Sequence, residues 1–145
     1  MLMVKTFLSI SPLHGIGLFA DEEIEAGKIV WRLNDTTSRV YSRDEFEKMK
    51  LELSLPAAEE LITSSYVRNG LVYYLCDRSK FINHSNTPNL AFQSDEIEVA
   101  IRNIYRGEEL LENYFMAYDE DDFCLWKIAS NYIDEQVRFS SYSDR

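Results

Sequence analysis

A chain of 145 residues has room for one domain and little more. At 46% hydrophobic and 13% aromatic it can bury a core, which sets disorder aside. Its formal net charge of -10 repels polyanions and so argues against direct nucleic-acid binding and anionic membrane surfaces. It suits a basic protein partner and equally plain solubility, between which charge alone does not decide.

Val4 to Ile10, apolar and β-branched, predicts a strand that runs into a turn at Ser11-Pro12-Leu13-His14-Gly15. The opening Met1 to Ile10 is too short for the apolar centre of a signal peptide, and it lacks a cleavage-like site. Nothing approaches the ~20 apolar residues of a membrane span, so the expectation is a soluble intracellular protein, cytoplasmic or nuclear. Ile16 to Ala20 and Lys28 to Leu33 predict further short strands around an Ala26-Gly27 turn.

At Ser42 the pattern changes. Ser42-Arg43-Asp44-Glu45 fits a capping box, and Phe46, Met49 and Leu53 recur at helical spacing. A second helix is predicted from Pro56, tolerated in a first turn, through Ile62. Strand character returns at Leu71 to Cys76, at Leu90 to Gln93, and at Ile97 to Ile101, where apolar residues alternate with Glu98 and Ala100. Asp119 to Asp122 supply an acidic first turn for a C-terminal helix with Phe123, Trp126, Ser130, Ile133 and Val137 on one face. Short strands around a helical insert, closed by a helix, make an α+β domain. The two cysteines, Cys76 and Cys124, form neither a metal-ligand spacing nor a disulfide framework, so no metal site is expected. Cys76, ending an apolar run, is expected as a buried free thiol.

Three stretches carry chemistry. Gly15-Ile16-Gly17 lets a main chain come close to a ligand, because glycine lacks the Cβ obstacle. In Phe81-Ile82-Asn83-His84-Ser85-Asn86-Thr87-Pro88-Asn89, the Asn83 amide offers a donor and an acceptor suited to a zwitterion, and Pro88-Asn89 turn the chain. Gly107-Glu108-Glu109-Leu110-Leu111-Glu112-Asn113-Tyr114 is an acidic turn that ends in a phenol.

In this order the three stretches resemble the signatures of the SET-domain protein lysine methyltransferases. The resemblance implies a SET-like fold of small curled β-sheets over residues 1–115, with a helical insert at about 39–73. Residues 116–145 would then be a C-terminal helical segment packing on it. It implies methyl transfer from S-adenosyl-L-methionine to a lysine side-chain amine in a protein substrate. The charge points to a basic protein or peptide such as a histone-like or ribosomal tail, with free lysine or an unrelated protein left open. Gly15, Ile16, Gly17, Asn83 and His84 would bind the cofactor, and Tyr114 would be catalytic, its phenol orienting the amine and stabilising developing charge. Glu108 and Glu109 are expected to lock the turn rather than to act as acids.

Departures from the family pattern are informative. Glu112 stands where the family usually has a Phe or Tyr lining the lysine channel, and a carboxylate there favours the ammonium form. Asn113 replaces the usual Asp, and Lys80 the usual Arg. Without a cysteine-rich zinc segment after Tyr114, the run Phe123 to Val137 is a candidate cover, although such an apolar face more often packs on the core. Phe115, Tyr118 and Trp126 are candidates for the aromatic wall of the channel, and the partner in a homodimer is the alternative. A different reading, a catalytically weakened SET module that binds a basic protein, rests on Glu112.

Overall fold

The computed structural model describes residues 1–119. β1 (Thr6–Ile10) and β2 (Ile16–Ala20) pair antiparallel from Thr6↔Ala20 to Ile10↔Ile16. Their loop closes on Ser11, whose Oγ accepts from Leu13 N and His14 N at 3.0 Å each, and Gly15 takes the left-handed φ of +50°. Leu18 and Ala20 on β2 are fully buried in a core with Ile24, Val30, Leu90, Ile104 and Leu110.

β3 (Ile29–Arg32) and β4 (Ser38–Ser42) follow, then α1 (Arg43–Glu52) and α2 (Leu55–Thr63). The predicted capping box is present in both directions: Glu45 N–H donates to Ser42 Oγ at 3.3 Å, and Ser42 N–H to Glu45 Oε2 at 2.8 Å. Pro56 sits in the first turn of α2. β5 (Ser65–Arg68) and β6 (Leu71–Leu75) come next, and β4, β6 and β5 form an antiparallel sheet in that order. The 39–73 region is therefore not a purely helical insert. Its two helices are framed by strands, and Phe46 and Leu61 pack on Val67 and Val72 to form a small core of their own.

A 3-10 turn, Arg78–Phe81, leads into β7 (Asn83–His84). β8 (Leu90–Ser94) and β9 (Ile97–Ala100) complete a second sheet of order β3-β9-β8. β10 (Leu111–Glu112) pairs parallel with β7, Leu111 opposite Asn83 and Glu112 opposite His84. One helical turn, α3 (Tyr114–Ala117), closes the described chain, capped by Asn113 Oδ1, which accepts from Phe115 N–H at 3.0 Å. The small antiparallel sheets of the SET-like expectation are present.

Cys76 is exposed, against expectation, because the buried run stops at Leu75 where β6 ends. The apolar residues of β9 do not define its inner face: Glu98 and Ala100 are buried at 2% and 1%, whereas Ile101 is 51% exposed. The helix predicted over Phe123 to Val137, with Cys124 and Trp126, lies outside the described residues. Among the described residues no helix is long and apolar enough to cross a membrane.

Candidate active site

The short parallel pair β7–β10 brings the two motif stretches side by side. Asn89 clamps them together. Its Nδ2 donates to the Glu109 carbonyl at 2.7 Å, and its Oδ1 accepts from Leu111 N–H at 2.8 Å. Asn89 is 1% exposed, so both bonds are shielded from water.

The glycine turn is tied to the same place through Asn83. Asn83 Nδ2 donates to the carbonyls of His14 (2.9 Å) and Ile16 (3.2 Å) and to Glu109 Oε1 (2.9 Å). Ser11 Oγ donates to the other Glu109 oxygen at 2.9 Å. Glu109 is thus a buried pin between the glycine turn and the Asn83 strand, in keeping with the turn-locking role expected of it. Gly17 serves this pin, since a Cβ there would stand 2.2 Å from Glu109 Oε1. Glu108 is half-buried at the surface and pairs with Arg102 at 2.8 Å.

Tyr114 follows β10 after the single residue Asn113 and is 2% exposed. Its hydroxyl donates to the Ile82 carbonyl, and its main-chain N–H donates to His84 Nδ1 at 3.1 Å. The His84 and Tyr114 rings lie 5.3 Å apart. Burial lowers the His84 pKa, outweighing a hydrogen bond with Asn86, and this suits a neutral imidazole accepting at Nδ1. Gly15, Ile16, Gly17, Asn83, His84 and Tyr114 therefore stand together, linked by hydrogen bonds through Asn83 and His84. Ile16 is 52% exposed, so this place opens to solvent.

Glu112 does not point to solvent. It is 4% exposed, and its Oε1 accepts from the Tyr118 hydroxyl. Both line a small pocket, with room for about one water molecule, together with Trp31, Tyr66, Phe92 and Glu98, among others. The Tyr118 ring stacks on Tyr66 at 4.6 Å and lies 5.1 Å from the Tyr114 ring. Burial first, then the Glu112 charge, pushes the Tyr118 hydroxyl well above the ordinary tyrosine range. Burial first, and the neighbouring Glu112 second, likewise hold the Glu98 carboxyl well above the ordinary carboxylate range. Phe115 is half exposed and sets its edge against His84 at 5.2 Å; it does not line this pocket. Trp126 lies outside the described residues. Lys80, in place of the usual Arg, pairs with Glu60 at 2.9 Å.

Sequence reasoning missed Ser11, Glu98, Trp31 and Tyr66. Only Glu98 carried a signal, as a charge inside an otherwise apolar strand, and the alternation there pointed to the wrong face.

The SET domain family model matches residues 15–115, from the glycine turn to just past Tyr114. Among solved structures, the chain is similar to the Chaetomium thermophilum polycomb repressive complex 2 in an autoinhibited conformation bound to S-adenosylmethionine. The identity is 23% and the TM-score 0.60, over 88% of this chain and 17% of that one. Another structure of that complex gives 23% and 0.58 over 81% of this chain, which spans 16% of the chain it matches. DIM-5, a histone lysine methyltransferase of Neurospora, gives 18% and 0.58 over 83% of this chain and 55% of its own. These likenesses show a common fold, and the match over residues 15–115 places the chain in the SET-domain family.

Proposed function

We propose that this protein transfers a methyl group from S-adenosyl-L-methionine to the side-chain amine of lysine in a basic protein. The observation that carries the reading is the convergence of Gly15–Gly17, Asn83, His84 and Tyr114 through the Asn83 and His84 hydrogen bonds. It is supported by neighbours in fold that bind S-adenosylmethionine or methylate histone lysine.

The residues present fit the cofactor. The carbonyls of His14 and Ile16, gathered by the Asn83 amide at the turn that carries the exposed Ile16, make an acceptor set suited to the ammonium of an amino-acid end. Gly15, Ile16, Gly17, Asn83 and His84 would hold it. When bound, the cofactor supplies a methyl group made electrophilic by a sulfonium.

This chain's own residues then position and shield. Tyr114 is fixed at both ends, main chain to His84 and hydroxyl to Ile82, so its phenol oxygen is held in place and would orient an amine without reorganisation. The Tyr118 ring, stacked on Tyr66 and tilted against Tyr114, makes an aromatic wall whose apolar surroundings would lower the proton affinity of an incoming amine. The net charge of -10 draws basic substrates. A second reading, binding of a basic protein without methyl transfer, is favoured by one observation, the burial of Glu112 beside Glu98.

Calorimetric titration with S-adenosylmethionine tests the assignment. Saturable one-site binding that is lost in a folded Asn83→Ala variant is expected. Absence of binding by the wild-type protein, with a basic peptide present or not, would remove the cofactor pocket.

A further inference from the structure

Two carboxyl side chains share the interior of this domain. Glu98 reaches in from β9 and Glu112 from β10, exposed by only 2% and 4%. Glu98 Oε1 is shielded from solvent and has no hydrogen-bond partner among the described residues, and the same holds for Tyr66 OH and Trp31 Nε1. All three belong to residues that line the same pocket. Buried polar atoms without partners are uncommon in folded proteins, and three around one water-sized space mark a place built for a small polar group. Aromatic walls from Trp31, Tyr66, Phe92 and Tyr118 and a floor of two carboxyls select a nitrogen cation over an anion.

The pocket also adjoins the proposed reacting centre. Ile82 lines it, and the Ile82 carbonyl is the acceptor of the Tyr114 hydroxyl. We propose that Glu98 and Glu112 together are the proton acceptor for the substrate lysine, at the end of a pocket that seats its nitrogen. This rests on the lysine methyl-transfer reading for the identity of the amine.

A single carboxylate facing a lysine would hold it as an unreactive ammonium. A pair behaves differently. Two carboxyls side by side on one pocket cannot both ionise cheaply, so in this proposal one of the pair holds a proton and the other is the carboxylate that accepts. The groups facing Glu98 agree with this: burial and the Glu112 charge raise its proton affinity, and the Arg68 guanidinium only partly offsets them. Tyr66 and Tyr118 remain neutral phenols there. Burial also weakens the ammonium as a cation, so the two proton affinities converge. In the step, one N–H bond of the ammonium breaks, an O–H bond forms on the remaining carboxylate, and the electron pair stays on nitrogen. The pair becomes doubly protonated and uncharged, and it returns one proton to water after the product leaves.

The probe is n-butylamine, the end of a lysine side chain. The readout is NMR of the protein with 13C-labelled glutamate carboxyls at neutral pH, with and without S-adenosylmethionine. Saturable movement of the Glu98 and Glu112 carboxyl signals toward the protonated acid is expected, with affinity at least tenfold weaker in Glu98→Gln. Movement toward the carboxylate, or none with or without cofactor, overturns the proposal; the wild-type protein alone decides this. Calorimetry on the same sample separates the two readings. Cofactor binding without a carboxyl response sinks the acceptor pair, and a carboxyl response without cofactor binding sinks the methyl-transfer reading.

Discussion

Gly17→Ala should be far more damaging than its single methyl group suggests. The added Cβ would meet Glu109 Oε1 at 2.2 Å, Glu109 Cδ at 2.8 Å and Ser11 Cβ at 3.1 Å. Glu109 has little room to yield, because its two oxygens accept from Ser11 Oγ and Asn83 Nδ2, each at 2.9 Å. Displacing it breaks both charge-assisted bonds, of roughly 1.5–3 kcal/mol each before any compensation by water. Holding it in place incurs overpacking of about 1–3 kcal/mol. The cheaper route is overpacking, and the 2.2 Å approach puts it toward the top of that range, so a loss of about 2–3 kcal/mol is expected in urea unfolding. Gly15→Ala is the control. Its Cβ would meet nothing within 4 Å, and only the φ of +50° penalises it, by about 1–2 kcal/mol. In a Glu109→Ala background the main clash is gone, and adding Gly17→Ala should cost less than about 1 kcal/mol, leaving only the Ser11 contact. Full additivity of Gly17→Ala and Glu109→Ala would refute the pin.

Asn89→Ala removes two buried hydrogen bonds that join β10 to its neighbours, and should destabilise the protein by about 2–4 kcal/mol in the same assay. Ser42→Ala removes one half of the α1 capping box and should cost about 1 kcal/mol, read by thermal unfolding. Glu98 gives a pH signature. Its folded pKa is raised above the usual 4.5, so its contribution is complete below that pH and is lost as pH rises toward the folded value. The stability difference between Glu98→Gln and wild type should therefore grow in favour of the variant from mildly acidic to neutral pH; a difference independent of pH would mean that Glu98 ionises normally.

What the sequence shows of this fold depends on how local the signal is. The capping box at Ser42 and Glu45 is a contact between residues three apart, and it appeared as written. β2 and β6 were legible from their apolar runs, whereas β4, with its Ser-Arg-Val-Tyr-Ser sequence, and β5 were not. Their stability comes from pairing with β6, on which the sequence is locally silent. The site divides the same way. Asn83, His84 and Tyr114 stand in motifs of fixed order, which the sequence displays, and the structure brings these residues side by side. Gly17 was singled out for closeness to a ligand, but the structure gives it a partner 92 positions away, Glu109. The inward turn of Glu98 could not be read from strand alternation. Nothing local to Ile97–Ala100 specifies which face meets Trp31 and Tyr118, and the register with β3 and β8 decides it.

Methyl transfer organised by Tyr114 can be followed as labelled methyl passing from S-adenosylmethionine into lysine of core histones or lysine-rich peptides. The wild-type protein should transfer label, and Tyr114→Phe, still folded and still binding the cofactor, should transfer at least a hundredfold more slowly, on the order of the loss seen when one preorganised polar group is removed from a reacting centre. Equal transfer by the two proteins, or none by a wild-type protein that binds both cofactor and peptide, would contradict the account.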